Sequence, residues 1–349
     1  MPELPEVETV ARDLRPRIVG ATIVAVRVSW PRTLRDADPL AFEAAVAGRR
    51  IVAVGRRAKL VVIELDDDHA LTIHLKMTGQ LFVVDRAAPD DPYVRLVLEF
   101  ADGRDLRFRD IRKFGRVGVH ARDTQTGRLI ESGPFFPRLG PEPLDPAFTI
   151  ARFRRLLRER RGRLKALLLD QSFIAGIGNI YADEALFEAR LHPLRSAPSL
   201  RPADERRLYR SIRTILGEAV ERRGSSIDDY TAPDGDGSMQ ERLVAYQRTG
   251  EPCVRCGRPI RRLIVGGRAT HLCSWCQRLP AIDRIAVAAV LRRAAEPRRG
   301  LAGLRDTAAS TERTRSAAAS AERTRRAAAT RRAAATRRAE ARASVGSIH

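Results

Sequence analysis

Lysine is nearly absent from this chain: Lys59, Lys76, Lys113 and Lys165 stand against 60 arginines in a basic total of 64. Arginine keeps its proton in any protein environment, whereas lysine can be tuned, so each of these lysines invites a chemical hypothesis. Cysteines number four in 349 residues and aromatics make up 5%, which excludes a disulfide-stapled secreted scaffold. No uninterrupted apolar run approaches the ~20 residues needed to cross a bilayer, so a spanning helix is excluded and no membrane partner is expected. The opening MPELPEVETV is acidic and punctuated by proline, without the basic start and apolar stretch of a secretory signal, and a cytoplasmic protein is expected. Acidic residues are the minority, 43 against 64 basic, and the formal net charge of +21 points to a polyanionic partner, nucleic acid first.

The length suggests two domains with real cores and a tail, at roughly 100–200 residues per domain. Apolar Val7, Val10, Ala11, Leu14 and Ile18 recur at helical spacing, with Pro5 tolerated in a first turn, which predicts a helix over 5–19. Short β-branched runs at 21–30, 50–65, 70–76, 80–85, 94–100, 105–109 and 116–120 predict strands forming a sandwich beside it. The periodicity turns helical at 150–160, 163–171, 179–190 and 202–222. Residues 224–240 combine turn formers with acid and read as a mobile loop. After 296 the chain is Ala, Arg, Thr and Ser, with RRAAAT at 325–330 repeated at 331–336. That repeat carries arginine around a helix axis and makes no apolar stripe, so a disordered or solvated basic tail is expected. The expected division is an N-terminal domain over 1–135, a helical domain over 147–240, a cysteine module over 245–278 and a tail over 279–349.

Cys253, Cys256, Cys273 and Cys276 form a C-x2-C…C-x2-C pattern, which suits two knuckles holding one tetrahedral zinc. Two disulfides are disfavoured in a reducing cytoplasm, and a redox pair needs no second identical pair. Four thiolates leave no open position, so the zinc (Zn2+) is expected to be structural. A β-hairpin over 261–272, turning at Gly266-Gly267 and presenting Arg268, is expected between the knuckles.

Six blocks in order, PELPEVET at 2–9, RRAKL at 56–60, HLKMTG at 74–79, DIRKFG at 110–115, LKALLLDQ…IAGIGNIYADE at 164–184 and the finger with GRATHLC at 267–273, resemble the bacterial formamidopyrimidine-DNA glycosylase family over about 1–278. The resemblance implies an α+β fold: an N-terminal helix with a β-sandwich, then a helical domain with a helix–two-turn–helix and a zinc-bound hairpin finger. It also implies a bifunctional DNA glycosylase and lyase that removes oxidised purines from damaged double-stranded DNA. A monomer in the bacterial cytoplasm, associated with the nucleoid, is expected.

Residue by residue, the resemblance makes Pro2 the nucleophile once Met1 is removed. An α-amine titrates near ~8 against ~10.4 for lysine, which gives it a larger neutral fraction. Glu3 would protonate the opening sugar ring, and Glu6 would orient the amine or relay protons. Lys59 and Arg268 would contact phosphate at the lesion and assist elimination. Met77, Arg112 and Phe114 would fill the hole left by the everted nucleotide. His74, Arg160, Lys165 and Asn179 would contact DNA, with amides at a helix start binding phosphate beside Asn179. Taken singly these residues have plainer readings: a helix start for Pro2, helix-terminus stabilisation for Glu3 and Glu6, an exposed strand lysine for Lys59, a solvated helix face for Lys165, and core packing for Met77 and Phe114.

Two positions depart from the family pattern. Asp91 stands where relatives often place a DNA-contacting His, and Lys113 where they often have Arg. Two other functions are consistent with parts of the sequence: an endonuclease VIII-type enzyme for oxidised pyrimidines, and a non-catalytic zinc-dependent binder of damaged DNA. Leu4, the Met77/Arg112/Phe114 trio and the 224–240 loop count against the first. The joint presence of Pro2, Glu3 and Lys59 counts against the second, because binding alone requires none of them.

Overall fold

A computed structural model describes residues 1–35, 37–127, 129–131, 138–226 and 237–295. Helix α1 (Leu4–Ile18) has Pro5 in its first turn and buries Val7, Val10, Ala11, Leu14 and Ile18 in one stripe, as the spacing predicts. That stripe packs into a core shared by two antiparallel four-stranded sheets. One sheet runs β1 (Ile23–Val28), β6 (Val94–Phe100), β7 (Arg104–Asp110), β5 (Gly79–Asp85); the other runs β2 (Ile51–Arg57), β3 (Leu60–Leu65), β4 (His69–His74), β8 (Arg116–Ala121). The apolar run 50–65, read from sequence as a single stretch, is two strands joined by a tight turn in which Ala58 takes a φ of 53°. That turn places Lys59 at the end of a paired strand. A short helix α2 (Pro39–Val46), which the sequence pattern did not suggest, is started by Asp38 accepting from the Ala41 amide at 2.9 Å.

The second core gathers Leu4 with the helices α3 (Ile150–Arg158), α4 (Leu164–Leu169), α5 (Asn179–Glu188) and α6 (Pro202–Glu221). Leu4 begins the helix of the first core yet is fully buried in the second, so the N-terminus is a seam between them. The arginines of RRAKL strengthen this seam: Arg57 donates to the Gly140 carbonyl at 3.0 Å and to Glu142 at 2.9 Å, and the Ala58 amide donates to Glu142 at 2.6 Å. Between α4 and α5, Gln171 donates to the Leu169 and Ile177 carbonyls and accepts from the Gly176 amide at 2.9 Å, which fixes the paired turns.

Strands β9 (Arg261–Val265) and β10 (Arg268–Leu272) form the expected hairpin. Gly266 and Gly267 take φ values of 55° and 73°, the left-handed pair that a two-residue turn of this hand requires. Of the expected loop 224–240 the base is described, closed by the Met239 amide on the Gly224 carbonyl at 3.0 Å; its centre, 227–236, lies outside the described residues, as does 296–349. Residues 281–295, read from sequence as the start of the tail, are a helix, α7 (Ala281–Ala295). Asp283 anchors it by accepting from Arg163 at 2.6 Å and the Ser199 hydroxyl at 2.9 Å, and Val287 enters a cluster with Leu263, Val265 and Leu272 of the hairpin. Among its described side chains, Asp283 and Val287 make these ties, and neither forms a periodic apolar stripe that the sequence could reveal. Among the described residues no helix is long and apolar enough to cross a membrane.

Candidate active site

Pro2 is buried directly ahead of α1, and the next residue, Glu3, is 2% exposed. The Glu3 carboxylate reaches across the seam to the start of α5, accepting from the amides of Gly178 at 2.6 Å, Ile180 at 2.8 Å and Tyr181 at 3.4 Å. A helix N-terminus favours negative charge. The approach leaves no room for a side chain at residue 178, where a Cβ would lie 2.4 Å from the Glu3 carboxyl carbon. Gly176 takes a φ of 87°, and a Cβ there would meet Leu4 at 2.8 Å. The glycines of GIGN thus let α1 approach α5 closely.

Glu6, one turn on, accepts from the Glu3 amide at 2.8 Å, from the Ser225 amide at 2.8 Å and from the Tyr181 hydroxyl. Tyr181 is therefore a site residue that sequence reasoning missed, although it lies within the quoted GIGNIYADE block. Burial and the neighbouring Glu6 push its hydroxyl well above the usual tyrosine range, so it stays a donor.

Lys59 is 7% exposed and faces this pair of acids. Burial lowers its ammonium below the ordinary lysine range, Glu3 and Glu6 oppose that, and Arg268 and Lys76 add to it. Glu3 moves the other way: burial raises it, Lys59 lowers it, Glu6 raises it, and the α5 amides lower it, with a net upward shift. A carboxyl shifted upward and a lysine shifted downward in one buried site suit proton transfer.

A cavity of about 370 Å³ opens beside Lys59, with His74, Lys76, Phe114 and Gln171 in its walls. Burial, then Lys76 and Lys59, push His74 down to about 3. Its Nδ1 accepts from the Lys76 amide at 3.1 Å, so the neutral ring carries its proton on Nε2. Met77 and the pair Arg112 and Phe114 lie on adjacent turns, because Gly79 pairs with Asp110 and Thr78 donates to Asp110 at 2.5 Å. Asp110 also accepts from the amides of Arg112 and Gly115 and so shapes the second turn, on which Phe114 is 47% exposed with the Arg112 guanidinium 5.1 Å from its ring. Lys113, at a φ of 57°, lies 4.2 Å from the Trp30 ring. Asp91 accepts from Arg109 at 2.6 Å, which offsets the repulsion an acid here would offer to phosphate.

Two of the expected DNA contacts, Lys165 and Asn179, also make internal ties. Lys165 has no exposed surface and donates to Asp183 at 2.6 Å and to the Asn179 carbonyl at 2.9 Å. Asp183 in turn accepts from the His271 amide at 2.9 Å. Lys165 is thus a buried tie between α4, α5 and the finger; a lysine inside a helix pattern gives no sign of which side a later element will cover. Lys165→Ala should leave the Asp183 charge uncompensated and cost about 3–5 kcal/mol in denaturant unfolding, with turnover at low temperature largely kept. Asn179 gives one of its two side-chain N–H groups to the Ala269 carbonyl at 2.9 Å, and its Oδ1 is buried without a hydrogen-bond partner, so its side chain ties α5 to the finger as well as standing at the helix start. Arg160 is partly engaged, donating to Ser172 at 3.3 Å. Arg268 is exposed on the hairpin and close enough to affect Lys59 electrostatically.

The four cysteine sulfurs lie within 4.8 Å of one another, with Cys253 and Cys276 at 3.9 Å and Cys256 and Cys273 at 3.5 Å. A tetrahedron of Zn–S bonds near 2.3 Å requires sulfurs about 3.8 Å apart, so the cluster fits one structural zinc. Glu184 of α5 accepts the amides of Val244, Ala245 and Tyr246 and holds the approach to the first knuckle.

Three family profiles match in order: the formamidopyrimidine-DNA glycosylase N-terminal domain over 1–117, its H2TH domain over 139–231, and the zinc finger found in FPG and IleRS over 250–279. The chain belongs to the formamidopyrimidine-DNA glycosylase family. The enzyme of that name from Herpetosiphon aurantiacus is 46% identical over 279 residues, covering 79% of this chain and all of its own. The solved MutM (Fpg) protein of Thermus thermophilus is 45% identical with a TM-score of 0.70, covering 80% of this chain and 100% of its own. Lactococcus lactis Fpg, solved in complex with DNA containing an abasic site, is 37% identical with a TM-score of 0.72, covering 79% of this chain and 99% of its own.

Proposed function

We propose that this family member is a bifunctional glycosylase and lyase of base excision repair, acting as a monomer on oxidised purines in duplex DNA within the nucleoid. The observation that carries the reading is the meeting of Glu3, Glu6 and Lys59 in a buried site whose nearest chain end is Pro2. With Met1 in place the Pro2 nitrogen is an amide; its removal frees a secondary amine. That amine attacks the anomeric carbon of the damaged nucleotide, the glycosidic bond breaks, and Glu3 delivers its proton to the sugar oxygen as the ring opens. The resulting iminium draws electrons from the sugar, so a proton leaves the adjacent carbon and the 3′ phosphate departs, followed by the 5′ phosphate. Lys59, His74 and Arg268 hold the phosphates, and Met77, Arg112 and Phe114 occupy the space of the everted base. Arg160 adds a phosphate contact.

Borohydride reduces an iminium to a stable amine, so the expected result is a covalent protein–DNA adduct on 8-oxoguanine duplex, mapped by mass spectrometry to residue 2 of chains lacking Met1. An adduct on a lysine, or on chains that retain Met1, rejects the assignment. The oxidised-pyrimidine alternative predicts faster trapping on thymine glycol than on 8-oxoguanine, which the same assay reads.

A further inference from the structure

A second concentration of positive charge lies at the far end of α5. The N-terminus of this ten-residue helix meets Glu3, and at 1.5 Å per residue its C-terminus is about 15 Å away. There Arg255 pairs with Glu188 at 2.6 Å, and a cavity of about 460 Å³ is lined by Arg190, Arg195, Arg201, Arg207, Arg255 and Arg278, with the zinc ligands Cys256 and Cys276 in its wall. Asp204 is the carboxylate in that lining, shared among Arg195 at 2.7 Å, Arg207 at 2.6 Å and Arg201 at 3.4 Å. Six guanidiniums thus face two carboxylates and the edge of a four-thiolate site that would be anionic with zinc bound; positive charge is still in excess, and Arg190 and Arg278 have no acidic partner among the described residues. Such an excess repels itself until an anion enters.

The trench is not purely cationic. A neighbouring cavity of about 560 Å³ shares Arg195, Arg201 and Arg278 and extends to Ile282, which is 78% exposed. Trp275, 48% exposed, lines the first cavity with Arg258 and Arg278 at 3.9 and 4.2 Å from its ring. Ile282 belongs to α7, after the last residue matched by the family.

We propose that this trench binds an acidic peptide segment of a partner protein, one in which carboxylates are interspersed with bulky apolar side chains. Carboxylates suit the paired N–H groups of the guanidiniums, and the apolar side chains cover Ile282 and the edge of Trp275. A nucleic-acid backbone would satisfy the arginines and leave Ile282 bare, and a base stacking on the Trp275 ring would compete with the two guanidiniums already against it. The distance from Glu3 lets peptide and damaged duplex be held together, so the trench recruits a partner to protein already on its lesion.

The test uses full-length, zinc-loaded protein saturated with lesion duplex and a short fluorescein-labelled peptide of glutamates interspersed with leucine and phenylalanine, followed by anisotropy at physiological salt. The Arg201→Glu/Arg278→Glu variant should bind the peptide about tenfold or more weakly, the loss of one or two charge-assisted hydrogen bonds. Ile282→Asp should also weaken the peptide while leaving inorganic tripolyphosphate binding unchanged, and both variants should release base at the wild-type rate. Equal peptide binding by the wild type and the arginine variant overturns the proposal, because capture then lies elsewhere on the basic chain. An unaffected Ile282→Asp variant reduces the trench to a simple anion pocket, and stronger competition by a single-stranded oligonucleotide than by unlabelled peptide assigns it to nucleic acid.

Discussion

Glu3→Gln should slow base release by about 10²–10⁴-fold, the range that a positioned proton donor contributes, while cleavage of a pre-formed abasic site is largely retained. The asymmetry follows from the chemistry. An abasic sugar already opens in solution, so the iminium can form at Pro2 without a proton delivered to the ring oxygen. The intact nucleoside has no such route. The pH profile gives a second readout with a fixed sign. Burial and the Glu6 charge raise Glu3 above the ordinary glutamate value, and only its protonated form can act as the acid. Base release in the wild type should therefore decline as pH rises through that raised value, and glutamine, which does not titrate, should remove this limb. Lys59, pushed down by burial, loses its charge at higher pH and should weaken substrate affinity with less effect on the maximal rate. If abasic-site cleavage falls as far as base release, Glu3 supports the fold of the site and is not its acid. The fold is a fair concern, because three amides aim at this carboxylate and one face of glutamine offers them N–H groups. Retained lyase activity answers it within the same preparation.

The strands, the four helices of the second core, the finger hairpin and the cysteine pairs were legible because each leaves a local mark: alternation, three- and four-residue spacing, a Gly-Gly turn, C-x2-C repeats. What was not legible depends on which distant surface covers a residue. Lys59 and Lys165 look alike in sequence, a lysine beside apolar residues, yet one faces the cavity and the other is sealed against Asp183. Asn179 sits at the start of α5 as the motif requires, but one of its N–H groups is bound to a finger carbonyl ninety positions later. Arg56 and Arg57, to which the sequence alone assigns no role, bind the linker acid Glu142 at 2.8 and 2.9 Å and leave Lys59 as the basic residue of that turn facing the cavity. The blocks named which segments come together at the seam and said less about which member of each block faces the cavity.

Cys273→Ser should abolish zinc binding, from about one ion per chain to none, and weaken binding to damaged duplex by about 10–100-fold, the worth of losing a charge-assisted contact such as that of Arg268. Structural zinc contributes on the order of 10–16 kcal/mol to small sites of this kind, more than the hairpin's few buried side chains supply, so the finger should lose its fold with its metal. The loss does not stop at the finger. Asn179 holds the Ala269 carbonyl, Asp183 holds the His271 amide, and Gln277 donates to the Leu191 carbonyl at 2.9 Å while accepting from the Cys273 amide. Two of these ties end on α5, the helix whose first amides hold Glu3. Unfolding the finger should therefore loosen Glu3 and slow base release even at saturating DNA, whereas Arg268→Ala, which keeps the zinc, should affect binding and elimination but leave base release at saturation near the wild-type rate. The comparison separates a finger that only grips phosphate from one that also braces the active site. A zinc-free Cys273→Ser protein that releases base at the wild-type rate on saturating substrate would show that α5 holds Glu3 without help from the finger.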